Sequence, residues 1–231
     1  NGYSVTIFEE KPAPGGGLTY GIVPARLPQD IVDGEIEYVK DLGVQFELNC
    51  KVGKDISLEE LKGKGFSAFV LAIGMQNSRL IDIPGSNLDG VTTAVDFLGK
   101  AKPSEGNIEV GSDVIVIGGG DVAMDCATTA RSLGANKVTV VYRRTYEEMP
   151  ANKAEVRYVS ELGVNFFYGF KPEEIVGEGG TVSRFKAIGF KDDSKLELKA
   201  DKVIFAIGQV AEDSKEIVNL AVSLDGKNLI V

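Results

Sequence analysis

Residues 112–144 read SDVIVIGGGDVAMDCATTARSLGANKVTVVYRR. Val114-Ile-Val-Ile117 is a β-branched apolar run, short enough for a strand buried on both faces, and it leads into three glycines and then an amphipathic helical pattern over 121–133. The order is strand, tight turn, helix. Gly118, Gly120 and Ala123 hold the positions of G-x-G-x-x-G/A. The first permits the sharp turn, the second has no Cβ so that a pyrophosphate can approach the backbone, and the small third residue lets helix pack on strand. Free N–H groups and the dipole at the helix N-terminus would hold the phosphates. Glycines also cluster in ordinary turns, but here a second strand at 137–142 completes the spacing of a βαβ unit, which favours dinucleotide binding over a plain turn.

The end of that second strand bears on which dinucleotide. An Asp or Glu there, roughly 20 residues past the glycines, bonds the adenine ribose hydroxyls, whereas an Arg accommodates a 2′-phosphate. This chain has Tyr142-Arg143-Arg144 and no acid before Glu147. A planar, permanently charged fork suits a phosphate dianion. Two solvated arginines at a strand end remain the plain alternative.

Composition narrows the partners. Lys+Arg 25 against Asp+Glu 34 gives the 231-residue chain a net charge of −9. An acidic surface argues against nucleic acid or an anionic membrane as partner and makes the arginine pair a local feature. No apolar run approaches the roughly 20 residues of a membrane span, and no signal peptide is visible. Two cysteines, Cys50 and Cys126, are too few for a secreted disulfide scaffold, so the cytoplasm is expected. Neither has a nearby second thiol for dithiol exchange. With no histidine in the chain, Ser-His-Asp triads and His-ligated metals are excluded. No side chain is assigned a catalytic or metal-binding role.

Two internal repeats point to a duplicated architecture. Residues 1–10, NGYSVTIFEE, match 134–143, GANKVTVVYR, as a helix exit feeding a V-T strand. In the later copy Gly118 precedes Gly134 by 16 residues (134 − 118), so the earlier copy would need its own glycine turn about 14 residues before Asn1. The chain is therefore expected to be a piece truncated inside a fold. Where the later copy has Arg143, the earlier ends in Glu9-Glu10, the acid that suits a ribose without 2′-phosphate, although exposed acids at strand ends are also common. The second repeat pairs AFVLAIG at 68–74 with KVIFAIG at 202–208, both apolar strands closing on Ala-Ile-Gly. The terminal glycine suits close approach of a ligand at a sheet edge.

Glu9, Gly15-Gly-Gly-Leu18, Tyr20-Gly-Ile22, Arg26-Leu-Pro28, Gly118-Gly-Gly-Asp121, Ala123-Met-Asp125, Tyr142-Arg-Arg144 and Met149-Pro150 together resemble the small (beta) subunit family of NADPH-dependent glutamate synthase. They are also similar to the flavin module of dihydropyrimidine dehydrogenase. The resemblance implies an α/β fold of two Rossmann-like lobes, an NADPH lobe inserted into an FAD lobe. It implies electron flow from NADPH to FAD and on through iron–sulfur clusters to a larger catalytic subunit or fused domain. It further implies that Glu9 holds the FAD adenosine ribose, that Gly16, Gly17, Leu18 and Arg26 lie along the flavin cofactor, and that Val52 and Gly74 lie near its adenine end. Gly118, Gly120, Asp121, Val122 and Ala123 then face the NADPH pyrophosphate, Arg143 and Arg144 its 2′-phosphate, and Ala206, Ile207 and Gly208 the place where nicotinamide meets flavin. Arg26 as a surface ion pair, Val52 as a core residue and Asp121 as a first-turn acid are the bland counterparts. Relative to the family the first glycine turn, a later Gly-Asp motif and the cysteine-rich iron–sulfur segment are missing.

The remainder fits two lobes. Residues 27–42 read as a helix with Ile31, Ile36, Val39 and Leu42 on one face; 44–48 and the run to Gly74 as strands; 58–62 and 93–100 as short helices. Residues 152–162 read as a helix, 164–168 as a strand, and 174–176, 182–190 and 196–198 as an antiparallel meander. The expected division is 1–108 as a partial FAD lobe, 109–208 as the NADPH lobe and 209–231 returning to the first.

Two functional classes stand against each other: an NADPH-oxidising flavoprotein module, and a nucleotide-binding or scaffolding lobe that does no chemistry. With an incomplete FAD lobe, the piece by itself is expected to bind NADPH but little FAD, to expose strand edges open to self-association, and to show no diaphorase turnover. Steady NADPH oxidation with stoichiometric flavin, on mixing the chain with FAD and an artificial acceptor, would overturn that expectation.

Overall fold

The computed structural model describes residues 2–24, 26–102, 104 and 107–210, with the backbone of two further strands at 223–225 and 228–230. The chain divides into two compact units, Asn1–Gln76 with Val210–Val231, and Asn77–Gln209. The return segment expected over 209–231 falls largely outside the described residues.

The first unit opens with β1 (Thr6–Glu9), then α1 (Gly17–Tyr20), α2 (Gln29–Asp41), β2 (Gln45–Leu48) and α3 (Leu58–Gly63). β1 and β2 run parallel, from Thr6 opposite Gln45 to Glu9 opposite Leu48. α2 ends at Gly43, whose φ of 89° a side chain would resist. Its buried residue is Val32, flanked by half-buried Ile36 and Val39, while Ile31 and Leu42, expected on the inner face, are exposed. The stripe is one position off because Val32, Ile36 and Val39 share the i, i+4, i+7 spacing as well. α3 starts on a capping box: the Ser57 hydroxyl takes the Glu60 N–H at 3.1 Å and the Glu60 carboxylate takes the Ser57 N–H at 2.8 Å.

The apolar run 68–74, expected as a strand, forms no ladder, and Val70 in it is 93% exposed. A strand needs a neighbour to receive its N–H and C=O groups. The described strands of this unit, β1 with β2 and the hairpin at 223–225 and 228–230, do not pair with the run.

The second unit contains β3 (Asn77–Ser78), β4 (Val91–Thr93), α4 (Ala94–Ala101), β5 (Asp113–Ile117), α5 (Asp121–Ser132), β6 (Lys137–Tyr142), α6 (Lys153–Glu161), β7 (Asn165–Tyr168), β8 (Phe170–Glu178), β9 (Thr181–Gly189), β10 (Lys195–Lys199) and β11 (Lys202–Phe205). The short β12 (Gln209–Val210) pairs with β3, and the hairpin β13 (Ser223–Asp225) and β14 (Asn228–Ile230) follows. Five strands form a parallel sheet in the order β4-β11-β5-β6-β7. Residues 77–102, expected in the first lobe, belong here instead. β4 extends the sheet beside β11, with Val91 opposite Val203, and α4 packs on α5.

Side chains of β5, β6 and β11 alternate between two buried faces. On one, Ile115, Ile117, Val141, Val203 and Phe205 join Ile175, Val182, Phe185 and Ala187 of the meander β10-β9-β8. Val114, Val116, Val138 and Val140 point the other way and are equally buried. α5 packs against β5 and β6 and buries Ala123, Met124, Cys126, Ala127 and Ala130. The meander's open face carries ion pairs, Lys186 with Glu174 at 2.8 Å and Arg184 with Glu197 at 3.2 Å. Asp201 ties the sheet at its lower edge, accepting the Ser112 and Asp113 N–H groups at 2.8 and 3.0 Å.

One polar atom in this core is unsatisfied: the Thr139 hydroxyl, in the middle of β6, has no partner. Burying such a group without a hydrogen bond costs free energy. Thr139→Val, which keeps the shape, is expected to raise stability by about 1 kcal/mol, seen as a higher urea midpoint with unchanged slope.

Candidate dinucleotide site

The strand order reverses between β5 and β11, because the chain runs outward through β6 and β7 from one side of β5 and returns on its other side. Ligands of open parallel sheets sit at such a point, beyond the carboxyl ends of the strands. Here those ends are held close. Ala206 donates its N–H to the Ile117 carbonyl at 2.8 Å, and Gly118 donates to Val141 at 3.1 Å. Gly118 has φ 152°, and a Cβ on it would stand 2.2 Å from the Ala206 carbonyl oxygen. Glycine is required there by backbone angle and space together. A Cβ on Gly119 would meet the Tyr142 ring at 2.5 Å.

Gly120 differs from both. It caps α5 with φ −94° and ψ 176°, and a Cβ on it would meet nothing within 4 Å. The helix N-terminus therefore faces open space, a cradle that suits a phosphate pressed against backbone N–H groups. Ala123 is fully buried behind it, whereas Val122 is 39% exposed. Asp121 is exposed, and its carboxylate accepts the Asn152 N–H at 2.9 Å.

That bond is one of several bracing the loop between β6 and α6. Ala151 donates its N–H to the Gly119 carbonyl at 3.0 Å, and the Tyr142 hydroxyl donates to the Glu148 carbonyl at 3.0 Å. The Lys153 ammonium bonds the Tyr146 and Met149 carbonyls and lies 4.4 Å from the centre of the Tyr146 ring. The Tyr146 ring meets Tyr168 edge-on at 6.0 Å, and Met149 is buried beneath. Arg143 and Arg144 stand exposed on this loop, and among the described residues neither side chain makes a hydrogen bond or close ion pair. Of the second-unit residues singled out in the sequence, Gly118, Gly120, Asp121, Val122 and Ala123 form the turn and helix start. Arg143 and Arg144 lie at the end of β6, and Ala206, Ile207 and Gly208 at the end of β11. All three places lie on the carboxyl edge of one sheet.

Sequence reasoning missed one cation. Arg79 donates its backbone N–H to the Gly208 carbonyl at 2.9 Å, and its Cδ lies 3.8 Å from where a Cβ on Gly208 would be. Its side-chain stem thus lies beside Gly208, just past the end of β11. The turn-rich surroundings of residue 79 carried no motif that could have drawn attention to it.

Residues assigned to a second nucleotide are spread over the first unit. Glu9 ends β1, its carboxylate taking the Lys11 N–H at 2.9 Å, and its carbonyl takes the Cys50 N–H at 2.9 Å. Val52 follows close in sequence and bridges to Ile56. Gly16, with φ 49°, and Gly17 border open space at the start of α1, where Leu18 is 48% exposed. Arg26 is exposed, and Gly74 sits with φ 66° in the unpaired run. The structure places Glu9 at the carboxyl end of β1, and α1 is linked to it through Tyr20, whose ring centre lies 4.9 Å from the Lys11 ammonium while the Lys11 N–H bonds the Glu9 carboxylate.

Both thiols are free. Cys126 is fully buried in α5, and burial pushes its thiol far above the ordinary range; Cys50 is half-buried and raised mainly for the same reason. Among the described residues no group of three or more His, Cys, Asp or Glu stands together as metal ligands, and no helix is long and apolar enough to cross a membrane.

The glycine geometry gives a paired test. Gly118→Ala forces a Cβ onto the Ala206 carbonyl and is expected to cost about 1–3 kcal/mol of stability. Gly120→Asp has free space and a favoured cap residue, so the melting temperature should hold or rise, while its charge at the phosphate cradle lowers dinucleotide affinity at least roughly tenfold. Thermal melts and calorimetric titration of both variants separate the two effects.

A family model described as pyridine nucleotide-disulphide oxidoreductase matches residues 1–231. The chain is 39% identical over 211 residues to an NAD-dependent dihydropyrimidine dehydrogenase subunit PreT homolog of Salmonella typhi, covering 91% of this chain and 49% of that protein. It is 34% identical over 238 residues to the glutamate synthase [NADPH] small chain of Azospirillum brasilense, covering 92% and 49%. The chain thus spans about half the length of these relatives. Among solved structures, FprA of Mycobacterium tuberculosis in complex with NADPH superposes with a TM-score of 0.72 at 20% identity, over 89% of this chain and 64% of that one. That likeness shows the FAD/NAD(P)-binding fold. With the glycine turn, the parallel sheet and the family match in agreement along the whole chain, the protein belongs to the pyridine nucleotide-disulphide oxidoreductase family.

Proposed function

We propose that the Asn77–Gln209 unit binds NADPH along the carboxyl edge of its sheet, and that the chain is the electron-input module of a flavoprotein of the glutamate synthase small-subunit type. The observation that carries this reading is the arginine pair: Arg143 and Arg144 stand exposed on a braced loop with no hydrogen-bond or close ion-pair partner among the described residues. In a chain of net charge −9 such cations await an external anion. The Gly118–Gly120 turn and the N-terminus of α5 take the pyrophosphate, the two arginines take the 2′-phosphate, and Ala206, Ile207 and Gly208 line the nicotinamide end.

The open space at Gly16 and Gly17 and the acid Glu9 at the end of β1 fit a flavin nucleotide in the first unit, with Leu18, Arg26, Val52 and Gly74 along it. FAD, when bound, supplies the hydride acceptor that side chains cannot provide. The chain's own residues bind and orient the two nucleotides. Electrons leave to iron–sulfur clusters or a partner outside this chain, as the names of the relatives, a subunit and a small chain, suggest. Two free thiols are consistent with the cytoplasm. A second reading, electron input to a dihydropyrimidine dehydrogenase, is favoured by the 39% identity to that subunit.

NADP(H) is expected to bind more tightly than NAD(H) by the 1–3 kcal/mol of charge-assisted contacts, roughly 5- to 150-fold. Replacing both arginines with Ala should erase the difference. Equal dissociation constants for NADPH and NADH in the unmutated chain, measured by calorimetry, would refute the assignment.

A further inference from the structure

The loop that carries Arg143 and Arg144 also carries two acids, Glu147 and Glu148. The hydrogen bond from the Tyr142 hydroxyl to the Glu148 carbonyl, 3.0 Å, folds this stretch back onto the end of β6. That is where an acid reads the ribose diol of an unphosphorylated dinucleotide, and where an arginine reads a 2′-phosphate. Both chemistries are therefore within one turn. A loose carboxylate there has two ways to spoil a phosphate site: by pairing with a neighbouring guanidinium, or by repelling the phosphate.

The Glu148 carboxylate is not loose. It accepts the Thr145 N–H at 3.2 Å, and the Thr145 hydroxyl accepts the Glu148 N–H at 3.4 Å, a reciprocal box like a helix cap but closed on a loop. We infer that Thr145 is a specificity-determining positioning residue: by closing this box it holds the Glu148 carboxylate out of direct pairing with Arg143 and Arg144 and off the ribose, leaving the site to a 2′-phosphorylated dinucleotide. The inference rests on the NADPH reading above. Thr145 touches no cofactor atom in this account; it acts through Glu148.

The electrostatics agree. The Glu148 carboxyl is held below its usual range, first by the Thr145 backbone N–H, then by the Thr145 hydroxyl and the charges of Arg144 and Lys191. Glu147 is also held down, first by its own backbone N–H and then by the Thr145 hydroxyl. Both acids are ionised at neutral pH, and the Arg144 charge helps to keep Glu148 so. The Thr145 hydroxyl closes the second half of the box by accepting the Glu148 N–H, which Val of the same shape cannot do, although its own N–H would remain.

The test is calorimetric titration of the full chain with NADPH and with NADH, in the unmutated protein, Thr145→Val, Thr145→Ser and the double variant Thr145→Val/Glu148→Gln. Thr145→Val should weaken NADPH about tenfold and leave NADH unchanged or tighter, Thr145→Ser should behave as the parent, and removing the Glu148 charge in the double variant should restore the preference for NADPH. Thr145→Ala gives the same readout should the Val variant fail to fold. An NADPH preference that survives both Thr145→Val and Thr145→Ala overturns the role of Thr145, as does an equal loss of both nucleotides. Equal affinities in the unmutated chain overturn the NADPH reading itself.

Discussion

The nucleotide unit depends on a close approach of the Gly118 backbone to the Ala206 carbonyl, which sets the ends of β5 and β11. A Cβ at 118 would lie 2.2 Å from that oxygen, so any other residue would push the ends of β5 and β11 apart. Because they stay together, the Ala206 N–H reaches the Ile117 carbonyl and the last rung of the ladder closes. The turn that follows is then aimed along the crevice where the strand order reverses, and α5 starts with its free N–H groups facing it. Only after this constraint is met does the openness at Gly120 matter, since empty space at a misdirected helix end would bind nothing.

This explains how the fingerprint was legible without coordinates. Glycine at 118 and 120 serves two different physical ends, conformation with packing at the first and clearance at the second, and the spacing of strand, glycines and helix separated them in the sequence. The strands β5, β6 and β11 were legible for a related reason. Buried on both faces, they are uninterrupted β-branched runs, and no other element needs that composition. The meander was equally plain, because alternation of charged and apolar residues in β8, β9 and β10 matches a sheet with one open face.

What escaped the sequence reading is what depends on distant partners. The run 68–74 resembles the β11 stretch in composition, yet β11 lies between β4 and β5 and becomes a strand, while the earlier run pairs with no strand among the described residues. Composition records how a segment would be buried; pairing is decided elsewhere in the chain. Residues 77–102 were assigned to the wrong side for the same reason. Val91–Thr93 is only three residues long, and its place beside β11 is fixed by a register 112 residues away (203 − 91), which no local pattern records. On α2, Ile31 and Val32 fit the same periodicity, and the surface that buries one of them decides which faces inward. Arg79 and Thr145 were missed because an arginine bonded to the Gly208 backbone, or a hydroxyl that accepts a loop N–H, becomes informative only when the loop around it has a shape.

The two halves of the nucleotide site are also mechanically one. The glycine turn lies at the end of β5 and the arginine loop at the end of β6, and ladder hydrogen bonds alone would leave the loop free to swing. It is instead fastened to the turn at two consecutive residues, Ala151 to the Gly119 carbonyl and Asn152 to the Asp121 carboxylate. Asp121 thus acquires a task that neither of its sequence readings included: an acid in the first turn, favourable to the helix dipole, spends its charge on a backbone N–H of the loop. In the proposed site pyrophosphate and 2′-phosphate are joined through one ribose, so the groups proposed to receive them have to be held within a limited separation. A loop anchored to the phosphate turn meets that requirement before the ligand arrives, and ordering that is complete beforehand need not be supplied by binding energy. For the same reason Tyr142 is enlisted twice, its ring closing over Gly119 and its hydroxyl holding Glu148, so that the strand end, the glycine turn and the charged loop share a single side chain as their pivot.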